Sequence, residues 1–191
     1  LIHKKYVPFL ELFKYIDNEH PSMISIDGRC ASGKTTLSTL LKQIYDCNVF
    51  KMDDFFLQQY QRTKERFESP GENVDHERFE EEILIPLSKH EAVKFRKFNC
   101  STISIEPSIL IPYKPMNIIE GSYSMHSDLQ KYYDFSIFLT LDKEEQILRL
   151  KKRNPNMINN FIHRWIPLEE AYFNTFSIRD KCNIQINTSK A

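Results

Sequence analysis

Hydrophobic positions along this chain switch repeatedly between two periods, and the switches delimit the expected elements. Tyr6 to Ile16 places Val7, Leu10, Phe13 and Ile16 on one face, an amphipathic helix with no candidate chemistry. Met23-Ile24-Ser25-Ile26 is a short apolar run suited to a buried strand. Thr36 to Ile44 returns to the helical period through Leu37, Leu40, Leu41 and Ile44. Cys47 to Met52 reads as a second strand that ends in Asp53-Asp54-Phe55-Phe56. Gln58 to Ser69 is polar and charged, and Pro70-Gly71 marks a turn. His76 to Leu87, preceded by Asp75, has Phe79, Ile83 and Leu84 facing inward, with Pro86 as its stop.

From Ala92 to Leu110 the period becomes two. Val93, Phe95, Lys97 and the alternating Thr102-Ile103-Ser104-Ile105 predict a β-hairpin inserted at about 92–111. Met116 to Gly121 and Asp134 to Leu141 are the third and fourth core strands. Asp142 caps a helix from Lys143 to Arg153, and Met157 to Arg164 is a further helical stretch. Leu168 to about Arg179 is a separate helix with Pro167 at its first turn, and Asn183 to Ile186 is the last strand. A lid is expected over about 143–168. Strands alternating with helices predict an α/β fold with a parallel sheet, and 191 residues without a linker predict a single domain over 1–191.

Charge narrows the partners. Lysine plus arginine and aspartate plus glutamate stand at 26 each, so no basic field invites nucleic acid or a membrane surface. Cys30, Cys47, Cys100 and Cys182 are scattered without a C-x-x-C pair, which fits a reducing, cytoplasmic setting better than a disulfide framework. Leu1 to Asp17 carries Lys4, Lys5, Glu11 and Lys14 and so lacks the apolar core of a signal peptide. A homo-oligomer is left open.

The chemistry concentrates at Gly28-Arg29-Cys30-Ala31-Ser32-Gly33-Lys34-Thr35, which fits the phosphate-loop pattern G-x-x-x-x-G-K-[ST] between a strand and a helix. The chain has only four glycines, and two fall on the two required positions. Backbone N–H groups at a helix N-terminus supply the donors a triphosphate needs, and Gly28 and Gly33 permit close approach. Lys34 places a positive charge on the β and γ phosphates, and the Thr35 hydroxyl ligates Mg²⁺. Thr36 completes the nucleotide-binding run.

In such a sheet ligands gather at the carboxyl ends of the strands. Asp53 is positioned to align or deprotonate an acceptor hydroxyl and to help hold Mg²⁺, with Asp54 as its competitor and a strand-end turn as the alternative. Glu120 ends an apolar strand, where a metal-bound water or a salt bridge would satisfy it. Arg149 and Arg153 share a helix face, either aimed at phosphates or solvated. Asp75 reads equally as an N-cap or as a holder of substrate hydroxyls, and Arg164 beside Trp165 offers further charge. His126 and the other histidines lack ligand spacing, so no histidine metal site is expected.

GRCASGKT at 28–35, MDDFF at 52–56, ENVDHERFEEEI at 72–83, IIEGSYSMH at 118–126 and LRLKKR at 148–153 resemble the uridine kinase–phosphoribulokinase family, in order and spacing over about 22–153. The resemblance implies a three-layer phosphate-loop fold with a five-stranded parallel sheet and a substrate hairpin. It implies Asp53 as base, Thr35, Asp53 and Glu120 around Mg²⁺, Asp75 on sugar hydroxyls, and Arg149 and Arg153 as lid arginines. Phe98, Tyr123 and Arg164 are expected to contact substrate as well. The chain departs from it at Phe98-Asn99-Cys100, where uridine–cytidine kinases carry a tyrosine–aspartate pair, and at Ile103, where they carry a histidine. The expected activity is ATP- or GTP-dependent transfer of a phosphoryl group to a small-molecule hydroxyl, foremost a nucleoside 5′-hydroxyl. The alternatives are a kinase of another alcohol (a sugar, sugar phosphate or pantothenate-like molecule) and a nucleotide-binding regulator with slow hydrolysis.

Overall fold

A computed structural model describes residues 4–189. The outermost residues of the segment read as lacking a leader, and of the expected single domain, lie outside the described residues. Five strands form one all-parallel sheet: β1 (Met23–Gly28), β2 (Cys47–Lys51), β7 (Met116–Glu120), β8 (Phe135–Thr140) and β9 (Ile184–Asn187). Their spatial order is β2-β7-β1-β8-β9. Adjacent residues alternate between faces, so both faces need cover. Ile24, Ile26, Ile118, Ile137 and Leu139 pack with Leu12 and Ile16 of α1 (Leu10–Glu19) and Leu37 and Leu41 of α2 (Lys34–Ile44). Ile119 and Phe138 join Phe55, Phe79, Ile83 and Tyr172 on the opposite side. Burial on two faces explains why the core strands read as nearly continuous apolar runs.

The inserted segment pairs antiparallel twice. β3 (Val93–Phe95) meets β6 (Ile109–Ile111), and nearer the tip β4 (Phe98–Asn99) meets β5 (Ser104–Ile105). Ile103 sits in the turn at φ 52° rather than in the expected strand. The first helix also begins later than its periodicity indicates. Lys4–Phe9 is a 3₁₀ segment containing Pro8, and Val7 is exposed. Proline cannot donate to an α-helical ladder, which explains the late start.

Neither interior proline stops its helix. His76–Phe79, Glu80–Leu84 and Ile85–Ser88 run on as one helix through Pro86, and Ile158–Asn160, Phe161–Trp165 and Ile166–Thr175 do the same through Pro167. In each the five residues before the Ile-Pro pair form a π turn. The Ile85 N–H reaches Glu80 O, and the Ile166 N–H reaches Phe161 O. A wider turn relieves the clash of the proline ring with the preceding carbonyls, so the helix bends around it instead of ending. A short separate helix, Ile178–Lys181, replaces the rest of the expected 168–179 element.

Candidate active site at the carboxyl edge of the sheet

The parallel register brings three strand ends to one edge: Gly28 lies opposite Leu139, while Ile26 and Lys51 lie level with Glu120. Gly28 has φ +132°, and a Cβ there would stand 2.0 Å from Leu139 O. Only glycine lets the loop leave β1 this close to β8. The loop then wraps toward the N-terminus of α2. Lys34 is buried, with Nζ donating to Gly28 O at 2.6 Å, Arg29 O at 3.0 Å and the Ser122 hydroxyl at 3.2 Å. These contacts hold the ammonium inside the curl of the loop.

Thr35 is the hinge of the site. Its hydroxyl donates to Glu120 Oε1 at 3.0 Å. Glu120 is 4% exposed, and burial raises its pKa above the ordinary carboxyl value. Among the described residues Thr35 supplies its one hydrogen bond. A buried carboxylate with so few donors suits a hard cation with oxygen ligands, so Thr35 and Glu120 fit Mg²⁺. Asp53 faces the same space. β2 ends at Lys51, one residue earlier than expected, and Met52–Asp54 form a 3₁₀ turn that exposes Asp53. Its carboxylate makes no hydrogen bond or ion pair among the described residues, whereas Asp54 pairs with Lys97 at 3.0 Å.

Two cavities flank Thr35. One, of about 510 Å³, is lined by Thr35, Lys51, Asp53, Asp54, Phe98 and Glu120, with Lys97 and Glu106 on the hairpin side. The other, of about 810 Å³, is bounded by Ser32, Gly33, Thr36, Arg149, Lys152 and Thr188. The glycine loop therefore separates one acid-lined chamber from one that opens along α2.

Several expected site residues stand elsewhere. Arg149 meets the glycine loop at a carbonyl: Nη1 donates to Ala31 O at 3.4 Å, Nε to Glu145 Oε1 at 2.8 Å and Nη2 to Thr188 O at 2.6 Å, on the wall of the larger cavity. Arg153 is exposed and donates to Asn154 Oδ1 at 2.7 Å, because its helix ends there. Arg164 lies over the Phe67 ring, 5.6 Å from its centroid. Tyr123 belongs to the core, packed edge-on against Tyr172, because φ 76° turns it inward. Asp75 is 1% exposed and saturated. It caps Arg78 N at 3.2 Å and accepts from Arg78 Nε at 3.3 Å, Gln61 Nε2 at 2.9 Å and Gln58 Nε2 at 3.3 Å. Arg29 turns its guanidinium away from the loop to form a two-point pair with Glu170, at 2.6 and 3.1 Å. The Cys30 N–H is taken by Glu169 Oε2 at 2.9 Å, and burial pushes its thiol pKa up. Ala31, in the left-handed region at φ 63°, supplies backbone to the loop.

Asp27, Ser122 and Glu169 are unanticipated members of the site. Asp27 is fully buried, accepting from Gly28 N at 2.6 Å, Met125 N at 2.9 Å and the Tyr172 hydroxyl at 2.9 Å. Burial raises its pKa to about 6 despite nearby Lys34. An acid closing an apolar strand just before the glycine loop was the available signal. Glu169 joins Cys30 N to the Ser122 hydroxyl, which donates to Oε1 at 2.6 Å. No local pattern marks that contact, since it depends on where the long helix crosses the loop.

In fold the chain is similar to a possible uridine kinase from Bacillus stearothermophilus, at 21% identity and TM-score 0.63, over 93% of this chain and 100% of that one. It is also similar to TT1252 from Thermus thermophilus, at 15% identity and TM-score 0.54, over 87% of this chain and 88% of that one. The fold is that of the phosphate-loop kinases. No family model matches the chain, and no curated protein matches its sequence.

Proposed function

We propose that this protein is a kinase that transfers the γ-phosphoryl group of ATP or GTP to a hydroxyl of a small molecule, with a nucleoside 5′-hydroxyl as the leading acceptor. The observation that carries this reading is the position of Thr35, bonded to Glu120 and lining both the acidic cavity of Asp53 and the cavity along α2. A slow hydrolase needs no second chamber with a free carboxylate at its mouth; a transferase needs both.

In this reading the loop amides and Lys34 bind the donor's phosphates, and the cavity bounded by Thr36, Arg149 and Thr188 takes its nucleoside. Asp53, without a partner of its own, accepts the proton of the acceptor hydroxyl and orients its oxygen. Thr35, Glu120 and Asp53 would hold Mg²⁺, which when bound neutralises charge on the phosphate oxygens. Phe98, 2% exposed and capped by the Arg62 guanidinium at 5.6 Å, forms the apolar wall against which an acceptor rests.

A kinase of another small alcohol is the second reading, and the hairpin favours it. Asn99 and Cys100 line the acceptor cavity where a tyrosine–aspartate pair would read a pyrimidine, and the Asn99 amide is spent on Glu106 at 3.0 Å. Donor consumption in the presence of Mg²⁺, measured across nucleosides, sugars, sugar phosphates and pantothenate-like alcohols, tests both readings. Acceptor-stimulated turnover with a nucleoside supports the first, and turnover with another alcohol supports the second. Tight nucleotide binding with no acceptor-stimulated turnover would overturn both.

A further inference from the structure

Away from both cavities, His76 and His126 are stacked, with centroids 3.8 Å apart and planes at 20°. Both are buried, at 4% and 3% exposure. Their edges match. Nε2 of His76 lies 3.2 Å from Glu72 Oε2, and Nε2 of His126 lies 3.4 Å from Glu72 Oε1. On the opposite edge both Nδ1 atoms face Asp128 Oδ2, at 3.7 and 3.8 Å. Two buried ring nitrogens, His76 Nδ1 and His126 Nε2, have no hydrogen-bond partner among the described residues. Buried polar atoms are rarely left so.

We propose that Glu72, His76 and His126 form a binding site for a divalent transition-metal ion, of which Zn²⁺ is the best-suited probe. The three side chains bring one ligand atom each to within 4.8 Å of one another. Bonds of about 2.0–2.1 Å to a tetrahedral ion set neighbouring donors about 3.3 Å apart, and each Nε2 lies at about that distance from one of the two Glu72 oxygens. One imidazole pair with one carboxylate is a borderline donor set that leaves a fourth position for water.

A single ion would answer both orphaned nitrogens. Binding through Nε2 satisfies His126 directly. In His76 it displaces the proton from Nε2 to Nδ1, where Asp128 can accept it. Ligating histidines characteristically donate their other ring N–H to a carboxylate in this manner. The Asp128 N–H, now 3.4 Å from His126 Nδ1, would give way to that arrangement. Glu77 also approaches His76, at 3.7 Å, and Arg66 approaches Glu72, at 3.5 Å. Three carboxylates against one guanidinium leave local negative charge for a cation. One ring must turn about its Cβ–Cγ bond for the two lone pairs to converge. Glu72 is the part-exposed member of the three, at 29%.

The test is zinc binding to the whole protein by competition with a chromophoric chelator, in excess Mg²⁺ and on a Cys100→Ser background to remove the exposed thiol. One ion per chain is expected, with a thermal midpoint that rises with zinc. Glu72→Gln and His126→Asn should each weaken binding at least about tenfold and abolish the thermal shift. Absence of a stoichiometric site, or unchanged affinity in a folded variant, overturns the proposal. Glu72→Gln changes a part-exposed carboxylate and keeps the test readable if His126→Asn does not fold.

Discussion

The Thr35 hydroxyl, in the first turn of α2, donates to Glu120 at the end of β7, at 3.0 Å. Burial holds the Glu120 carboxyl above its ordinary value of 4.5, so it loses its charge at a higher pH than an exposed glutamate does. Metal binding needs the charged form. We expect kcat/KM to fall as pH drops through a midpoint above 4.5, and Glu120→Gln to lose most transfer together with its Mg²⁺ dependence. A pH–rate profile with its acid limb at or below 4.5 would contradict this.

Asp53 and Asp54 are adjacent in sequence and differ in what holds them. Lys97 ties up Asp54, while Asp53 has no hydrogen bond or ion pair among the described residues. Asp53→Asn should therefore reduce kcat by about 10²- to 10⁴-fold, the range for a lost general base. Asp54→Asn should cost less than about tenfold and mainly raise the acceptor KM through the loosened hairpin. Steady-state kinetics on the two variants separate the roles, and equal losses would return the assignment to open.

Arg149 and Arg153, four residues apart, should part company in kinetics. Removing the hydrogen bonds of Arg149 to the Thr188 carbonyl should raise the donor KM about tenfold, the scale of one charged hydrogen bond. Arg153→Ala should leave KM and kcat within about twofold, since its guanidinium is exposed and, among the described residues, meets Asn154 and the Phe161 ring.

Asp27 makes stability depend on pH in the unusual direction for a carboxylate. Its folded pKa of about 6 exceeds the unfolded 3.8, so the native state binds the proton more tightly. Its contribution is full below the unfolded value and is lost as pH rises through about 6. The two-unit difference corresponds to about 3 kcal/mol. Urea unfolding of the wild type and Asp27→Asn, from pH 4 to pH 7, should show the wild type losing stability relative to the variant as pH rises. A constant difference would show that the three hydrogen bonds and Lys34 fully offset burial.

Much of this was legible in the chain because it is written locally. The glycine loop, the apolar strands and the acids closing β2 and β7 are consecutive residues whose spacing fixes their place at one sheet edge. What escaped depends on how far a helix continues. The sequence places a stop at Pro86 and a new helix start at Pro167, yet a π turn before each carries one helix through. That continuity brings Glu169 and Glu170 onto the loop and leaves Arg164 over Phe67, 5.6 Å from its ring. Tyr123 is expected to contact substrate, but a positive φ turns it into the core. Asp75 was balanced between two roles, and its four internal donors favour the cap.

Thr188 closes the larger cavity, donating from its hydroxyl to Ser32 O at 2.8 Å, and it follows the last strand to join the sheet. During synthesis the glycine loop, Asp53 and Glu120 leave the ribosome long before Thr188 does. A nascent chain should thus form the wall of the Asp53 cavity first and complete the larger cavity only when β9 docks beside β8. Any ligand of the larger cavity rewards that docking, so if nucleotide binds there, as proposed, its addition during refolding should speed the final step of assembly.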